Sequence, residues 1–380
     1  MTHALVGARV FDGDRMHDDA AVVIEDGRVA ALRAAAELPP DIELRAVSGL
    51  LAPGFVDVQV NGGGGVLFNA EPTVEAIRTI GAAHRRFGTT GYLPTFITDR
   101  REKMRAAVEA VRAALETGVP GVLGIHLEGP FLNPARKGVH DAAHIRAFED
   151  ADFALLTALG RGRTVVTLAP EMVPPGTVAR LVTAGVIVAA GHTAASYETI
   201  QAARREGLTG FTHLFNAMPP LAARAPGPAG AALDDRESWC GIIADLHHVA
   251  PAVLRLALAA RGTARTMLVT DAMPTVGTDR AQFDLLGQTI RREGGRLTAA
   301  DGTLAGSDLD MATAVRNAVT HLGVSVEEAL RMAARAPAAF LGLEGALGRI
   351  APGCRADLVL LDAGLHVRET WIGGCAADAT

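Results

Sequence analysis

Aromatic residues make up only 4% of this 380-residue chain. The bias toward Ala, Gly and Val that goes with this is compositional and says little about function. Cysteine is nearly absent. Cys240, Cys354 and Cys375 are widely separated, and an odd count without a CxxC pair argues against a disulfide framework or a zinc ribbon. A reducing cytoplasm is the natural compartment for such a chain. No run of about 18 or more apolar residues occurs, so no membrane span is expected. The opening MTHALVGARVFDGDRM lacks a basic start followed by an apolar core, so no signal peptide is expected. Charge of one sign is also not in excess. A net charge of -6 supplies no electrostatic reason to expect nucleic acid or an anionic membrane as a partner. What remains is an ordinary globular composition, with 49% apolar and 21% charged residues. The length exceeds the usual single-domain range, but an α/β barrel with an accessory lobe fits it.

The chain changes style twice. Its first part, ALVGARVF, AAVVIEDGRVAAL and IELRAVSGLLAPGF, reads as short strands separated by Asp-Gly turns, and EDGR at 25–28 is a hairpin signal. The end, LGRIAPGCRADLVLLD and LHVRETWIGG, returns to strands and turns. Between them, short apolar runs alternate with Ala-rich helical stretches such as REKMRAAVEAVRAALETG, the pattern of βα units around a parallel sheet. The candidate strands are GFVDVQV, TTGYLPTF, VLGIHLEG, VVTLAPE, VIVAAGH, GFTHLFN, GIIADLHH and TMLVTDAM. The expected fold class is therefore α/β, a (β/α)8 TIM-type barrel over residues 51–347. Residues 1–50 and 348–380 are expected to form one small β-sandwich lobe from both termini. The loop PPLAARAPGPAGAALDD at 219–235 is a candidate lid or contact loop.

In a parallel barrel the reacting groups gather where strands end. Glu128 ends one strand, just before Gly-Pro. Alone, such a glutamate is more often a loop cap or an ion-pair partner. His126 shares its face by strand parity, and a buried, hydrogen-bonded role suits it better. His192 and His213 each follow an apolar strand, one βα unit apart. Together with Glu128 they make a His2Glu ligand set suited to Zn²⁺ or Fe²⁺, with a position left open for water. Asp271 ends the eighth strand and is a candidate general base; its bland reading is a helix N-cap. His247 and His248 are neighbours, so strand alternation points only one of them at the site, and spacing does not choose. Arg224 is a candidate anion clamp. The first strand ends in VDVQVNGGGG, with Gln59 and Asn61 where metal-hydrolase barrels often carry His-x-His.

These segments together resemble the amidohydrolase superfamily, and within it the family of N-acetylglucosamine-6-phosphate deacetylases. The resemblance runs over almost the whole chain, through PGFVDVQVNGGGG, HLEGPFLNP with KGVHD, GHTAASYE, FTHLFNAMPPL, RAPG, GIIADLHH, LVTDAM, GTLAGSDLDM and GRIAPGCRADLVLLD. HLEGPF and THLFNAM are specific signals, whereas PGxxADLV supports only the superfamily. Some members carry His-x-His on the first strand and bind two metals; others carry Gln-x-Asn and bind one. The resemblance thus implies one divalent ion per subunit, Zn²⁺ or another divalent such as Fe²⁺, held by Glu128, His192 and His213. Gln59 and Asn61 then stand in the second-metal position as polar lining residues.

The resemblance further implies that Asp271 is the catalytic acid/base. Substrate contacts are implied for Val139, His140, Asn216, Ala217, Leu304, Ala305 and Gly306. The family pattern Ala-Asp-Gly-x-His matches His248, although Leu246 stands where the glycine normally sits. Arg224 matches an arginine lent across a homodimer to the substrate phosphate. The implied reaction is hydrolysis of the acetamide of N-acetylglucosamine 6-phosphate to glucosamine 6-phosphate and acetate, in cytoplasmic amino-sugar catabolism and cell-wall recycling. The galacto epimer is the alternative substrate. A dihydroorotase-like cyclic-amide hydrolase would need His-x-His and a bridging lysine, and neither signal is visible. A non-catalytic scaffold on the same barrel tends to lose the ligands or the carboxylate that this chain keeps.

Overall fold

The computed structural model describes residues 2–376. Residue 1 and residues 377–380, the tail of the unit expected at 348–380, lie outside the described residues. Eight parallel strands follow one another around a single sheet. They are β1 (Phe55–Val60), β2 (Thr89–Ile97), β3 (Gly124–Glu128), β4 (Arg163–Leu168), β5 (Ile187–Ala190), β6 (Gly210–Phe211), β7 (Trp239–Ile242) and β8 (Thr266–Leu268). They fall on the eight apolar runs of the sequence. Every residue of β1, β2 and β3 is buried, as expected of parallel strands covered on both sides. The ring closes just past β8. Val60 bridges Ala272, and the Asp271 N–H donates to the Gln59 carbonyl at 2.9 Å.

The helices that cover the barrel do so on one apolar stripe. Arg101–Glu116 buries Met104, Ala107, Val108, Val111 and Ala114, spaced three and four apart. Val74–Arg85 starts at Thr73, whose hydroxyl accepts from the Ala76 N–H at 3.2 Å. Removing that cap costs about 1 kcal/mol.

The two ends of the chain meet in one lobe. Leu50–Pro53 pairs with Leu358–Leu361 inside a six-stranded sheet, next to a four-stranded sheet built from N-terminal residues. Leu5, Ile24 and Leu51 share a core with Leu358, Leu360 and Trp371. The Asp26-Gly27 turn has φ of 48° and 76°, the two left-handed residues that a tight hairpin turn needs. One element was not anticipated. A three-stranded sheet, Gln282–Leu285, Gln288–Glu293 and Arg296–Thr298, is inserted after β8. Its Phe283, Ile290 and Leu297 pack with Leu67, Ile97 and Met273 at the C-terminal mouth of the barrel.

Candidate active site

The strand ends do not continue as regular strand. His192, His213 and Asp271 have φ of 49°, 31° and 53°, left-handed values that cost a non-glycine residue about 1–3 kcal/mol. Such residues persist only where their surroundings over-determine them. Here the turn at each strand end swings the side chain toward the barrel axis.

Glu128, His192 and His213 converge. Glu128 Oε1 lies 3.1 Å from His192 Nε2 and 3.0 Å from His213 Nε2, and the two ring nitrogens are 3.1 Å apart. The His192 Nδ1 sits 2.8 Å from the Arg136 carbonyl, which only accepts. Its proton is therefore on Nδ1, and Nε2 presents a lone pair. A carboxylate oxygen and an imidazole lone pair thus meet a second imidazole nitrogen at one buried point, with more acceptors than donors. Ligands at about 2.0–2.1 Å around a tetrahedral ion stand about 3.3 Å apart, close to the edges seen here. The residues fit a divalent cation. Burial pushes the Glu128 carboxyl up, but the imidazoles of His192 and His213 beside it outweigh burial and hold it well below the usual carboxylate range. Burial pulls His213 down, but Glu128 outweighs it, and the net shift is upward. His140 Nδ1 pairs with the Thr98 hydroxyl at 2.8 Å, and its ring is 4.4 Å from that of His192. A ligand atom of His140 also lies within 4.8 Å of those of Glu128 and His192. The closer contacts make His213 the better third ligand. Burial, with His192 beside it, holds His140 well below the ordinary imidazole range, so it is neutral. His126 is not a ligand: it is buried between the hydroxyls of Thr95 (3.2 Å) and Thr167 (2.8 Å).

Asp271 faces this cluster. Its Oδ1 accepts from Asn61 Nδ2 at 2.6 Å and from Gln59 Nε2 at 3.1 Å. The same Gln59 amide reaches Glu128 Oε2 at 3.2 Å. The Gln59 amide therefore bridges the two carboxylates, and Asn61 adds a second donor to Asp271. Burial, and then the nearby Glu128 charge, raise the Asp271 carboxyl to about 6. Asp271 caps no helix. Its strained turn is tied down from behind by Asp57, which accepts from the Thr270 hydroxyl at 2.5 Å and from the Gln59 N–H at 3.1 Å. Burial raises Asp57 to about 7. Sequence reasoning passed over Asp57, although a lone acid inside the apolar run FVDVQV is its visible signal.

A cavity of about 240 Å³ opens over these groups. Val139, His140, Asn216, Ala217, Leu304 and Gly306 line it, as expected. Gly306 has φ 61°, and a Cβ there would sit 2.9 Å from the Asp271 carbonyl. Ile97, Met273 and Thr303 also line the cavity and were not foreseen. Two expected residues are placed differently. Ala305 is fully buried in the core of the inserted sheet, and its N–H is used by the Leu297 carbonyl at 3.0 Å. It supports its neighbours from behind. Gln59 is 2% exposed and acts from beneath the cavity. Arg224, expected to act from a partner subunit, is exposed on its loop and is not part of this chain's cavity lining.

The choice between the adjacent histidines is made by a turn, not by strand alternation, because β7 ends at Ile242. Asp245 Oδ1 accepts from the N–H groups of both His247 and His248 at 2.9 Å, and its Oδ2 is 2.6 Å from His248 Nδ1. His248 lines the cavity, whereas His247 turns to Arg296 Nε at 3.3 Å. Leu246 has φ 69°, so the glycine conformation is kept by a residue that it strains.

An eight-stranded barrel with a Glu-His-His cluster and an opposing carboxylate at the strand ends defines a metal-dependent hydrolase. The chain belongs to the amidohydrolase family, whose model matches residues 50–376; a NagA composite domain matches residues 2–51. It is similar to an N-acetylgalactosamine-6-phosphate deacetylase of Shewanella sp. (strain ANA-3), 44% identical over 97% of this chain and 94% of the relative. It is also similar to the crystal structure of N-acetylglucosamine-6-phosphate deacetylase from Pasteurella multocida, with TM-score 0.95 and 33% identity, covering 99% and 100% of the two chains. A mutant of the N-acetyl-D-glucosamine-6-phosphate deacetylase of Mycobacterium smegmatis, in complex with N-acetyl-D-glucosamine-6-phosphate, matches with TM-score 0.91 and 35% identity over 99% of each chain. Among the described residues no helix is long and apolar enough to cross a membrane.

Proposed function

We propose that this chain is a metal-dependent deacetylase that hydrolyses the acetamide of N-acetylglucosamine 6-phosphate to glucosamine 6-phosphate and acetate. The observation that carries the reading is the meeting of Glu128, His192 and His213 within 3.1 Å of one another, with Asp271 facing them. Glu128, His192 and His213 would hold one divalent ion, Zn²⁺ before Fe²⁺, which when bound polarises the acetyl carbonyl or the attacking water as a Lewis acid.

This chain's own residues do the rest. Gln59 and Asn61 both hold Asp271 Oδ1, which leaves Oδ2 to take the proton of the attacking water. As the C–N bond breaks, Asp271 returns that proton to the nitrogen, and the amine leaves on the sugar. His140, kept neutral, offers a ring donor to the developing oxyanion. Val139, Asn216, Ala217, Leu304 and Gly306 shape the walls around the sugar. His248 and Arg224 are assigned to the phosphate, Arg224 acting from the partner of a homodimer. The proposal includes a cytoplasmic location and two structural units, the barrel over 51–347 and the lobe over 1–50 with 348–380.

A second reading, deacetylation of N-acetylgalactosamine 6-phosphate, is favoured by the 44% identity to the Shewanella relative. The two epimers differ at one hydroxyl. Acetate release from both 6-phosphates and from unphosphorylated N-acetylglucosamine separates the readings. Turnover of the galacto epimer alone overturns the first, and turnover of neither overturns both.

A further inference from the structure

Glu171 lies just past β4, in the turn Pro170–Met172, outside the cavity lining. Its carboxylate collects three donors, none of them charged. The Thr193 hydroxyl donates to Oε2 at 2.6 Å, and the Ala194 N–H and Asn133 Nδ2 donate to Oε1 at 2.7 and 3.0 Å. Thr193 and Ala194 directly follow His192. Asn133 opens the turn that completes the surroundings of the same histidine. Its Oδ1 accepts from the Ala135 N–H at 2.9 Å, which shapes the turn Pro134–Arg136. That turn presents the Arg136 carbonyl, which takes the His192 Nδ1 proton at 2.8 Å. The Asn133 N–H also donates to the His192 carbonyl at 2.9 Å. One carboxylate therefore fastens the backbone after His192 to the turn that fixes its tautomer. His192 needs such a clamp, because its φ of 49° is a conformation that a β-carbon disfavours.

We propose that Glu171 is a positioning residue for His192, and that it sets how tightly the Glu128-His192-His213 site holds its cation. The proposal rests on that ligand set. A group that orients a ligating histidine typically controls 10–100-fold in metal affinity. The test uses full-length protein stripped of metal and titrated with Zn²⁺ against a chromophoric chelator. Glu171→Ala lowers affinity by about 10–100-fold, while the folded apoprotein keeps its far-ultraviolet circular dichroism. Glu171→Gln recovers most of the loss, because its Oε1 still accepts from Ala194 and Asn133 and its amide can donate to the Thr193 hydroxyl. Wild-type affinity in Glu171→Ala, alongside a collapse in His192→Ala, overturns the positioning role and leaves the ligand set standing. Unchanged affinity in His192→Ala overturns the ligand set, and the proposal with it. If Glu171→Ala does not fold, Asn133→Ala severs one arm of the clamp alone. Weakened zinc binding there supports the proposal, and unchanged binding overturns it.

Discussion

Replacing Asp271 by Asn should move activity and stability in opposite directions. Asparagine keeps an Oδ1 that can accept from Asn61 and Gln59, as Asp271 does at 2.6 and 3.1 Å. The turn and the metal site should survive. What is lost is the proton acceptor, and removing a general acid/base costs typically about 10²–10⁴-fold in turnover. Stability responds to the charge. Burial raises Asp271 from its ordinary 3.8 to about 6. A carboxyl whose folded value is raised favours the folded state fully below about pH 4, and that advantage is lost as pH rises through about 6. At 1.36 kcal/mol per pH unit, the ionised group costs the folded protein on the order of 3 kcal/mol. The neutral amide avoids that cost and leaves its own N–H₂ to satisfy. A net gain of about 1–3 kcal/mol is therefore expected in metal-free protein at pH 7.5, shrinking toward zero near pH 4. Urea unfolding of the two apoproteins across that range measures it, and acetate release measures turnover. Near-normal turnover in Asp271→Asn would mean that another residue is the base. A variant no more stable than wild type at pH 7.5 would refute burial of charge as the source of strain at this site.

Elemental analysis after mild dialysis should find one equivalent of divalent metal per chain, because the Gln59 and Asn61 amides supply donors rather than ligands for a second ion; two equivalents contradict this. Arg224→Ala should raise KM for the phosphorylated substrate by the equivalent of about 1.5–3 kcal/mol, typical of a charged hydrogen bond, with little effect on the unphosphorylated sugar. Equal losses on both sugars would show that Arg224 does not read the phosphate, and a fully active monomer at high dilution would show that it does not act across subunits. Leu246→Gly should leave activity intact and raise stability by up to about 1 kcal/mol, since relief of the left-handed strain slightly exceeds the added flexibility of the unfolded chain. A lower melting temperature would sink that account.

Much of the molecule was legible beforehand. Each of the eight apolar runs can satisfy its backbone only by pairing, and alternation with amphipathic helices points to a parallel sheet covered by helices, which the count of eight and the resemblance turn into a ring. Once that ring is granted, Glu128, His192, His213 and Asp271 must gather at one face, because each is the polar residue that ends a strand. Local patterning also reached the Asp26-Gly27 hairpin. The inserted three-stranded sheet was passed over although QFDL alternates with every second residue buried and Gly294-Gly295 marks a hairpin turn, because its short strands lie outside the repeating βα units.

The sequence by itself therefore determined the barrel, the kind of donors at its mouth and the amides of Gln59 and Asn61 at the end of the first strand. Only the tertiary structure decided which atoms meet. Glu128 and His213 are 85 residues apart in the chain, and Thr270 and Asp57 are 213 apart. Residue type and strand period say nothing about distances across a closed ring. Strand alternation fails for His247 and His248 because the strand has already ended, and Asp245 holds them in a turn whose shape depends on a left-handed Leu246. Ala305 turned inward because its N–H pairs with the Leu297 carbonyl, where the chain folds back antiparallel on the last strand of the inserted sheet, and that sheet's core takes its side chain. The clamp around His192 likewise exists only because three loops from different strands close over one carboxylate.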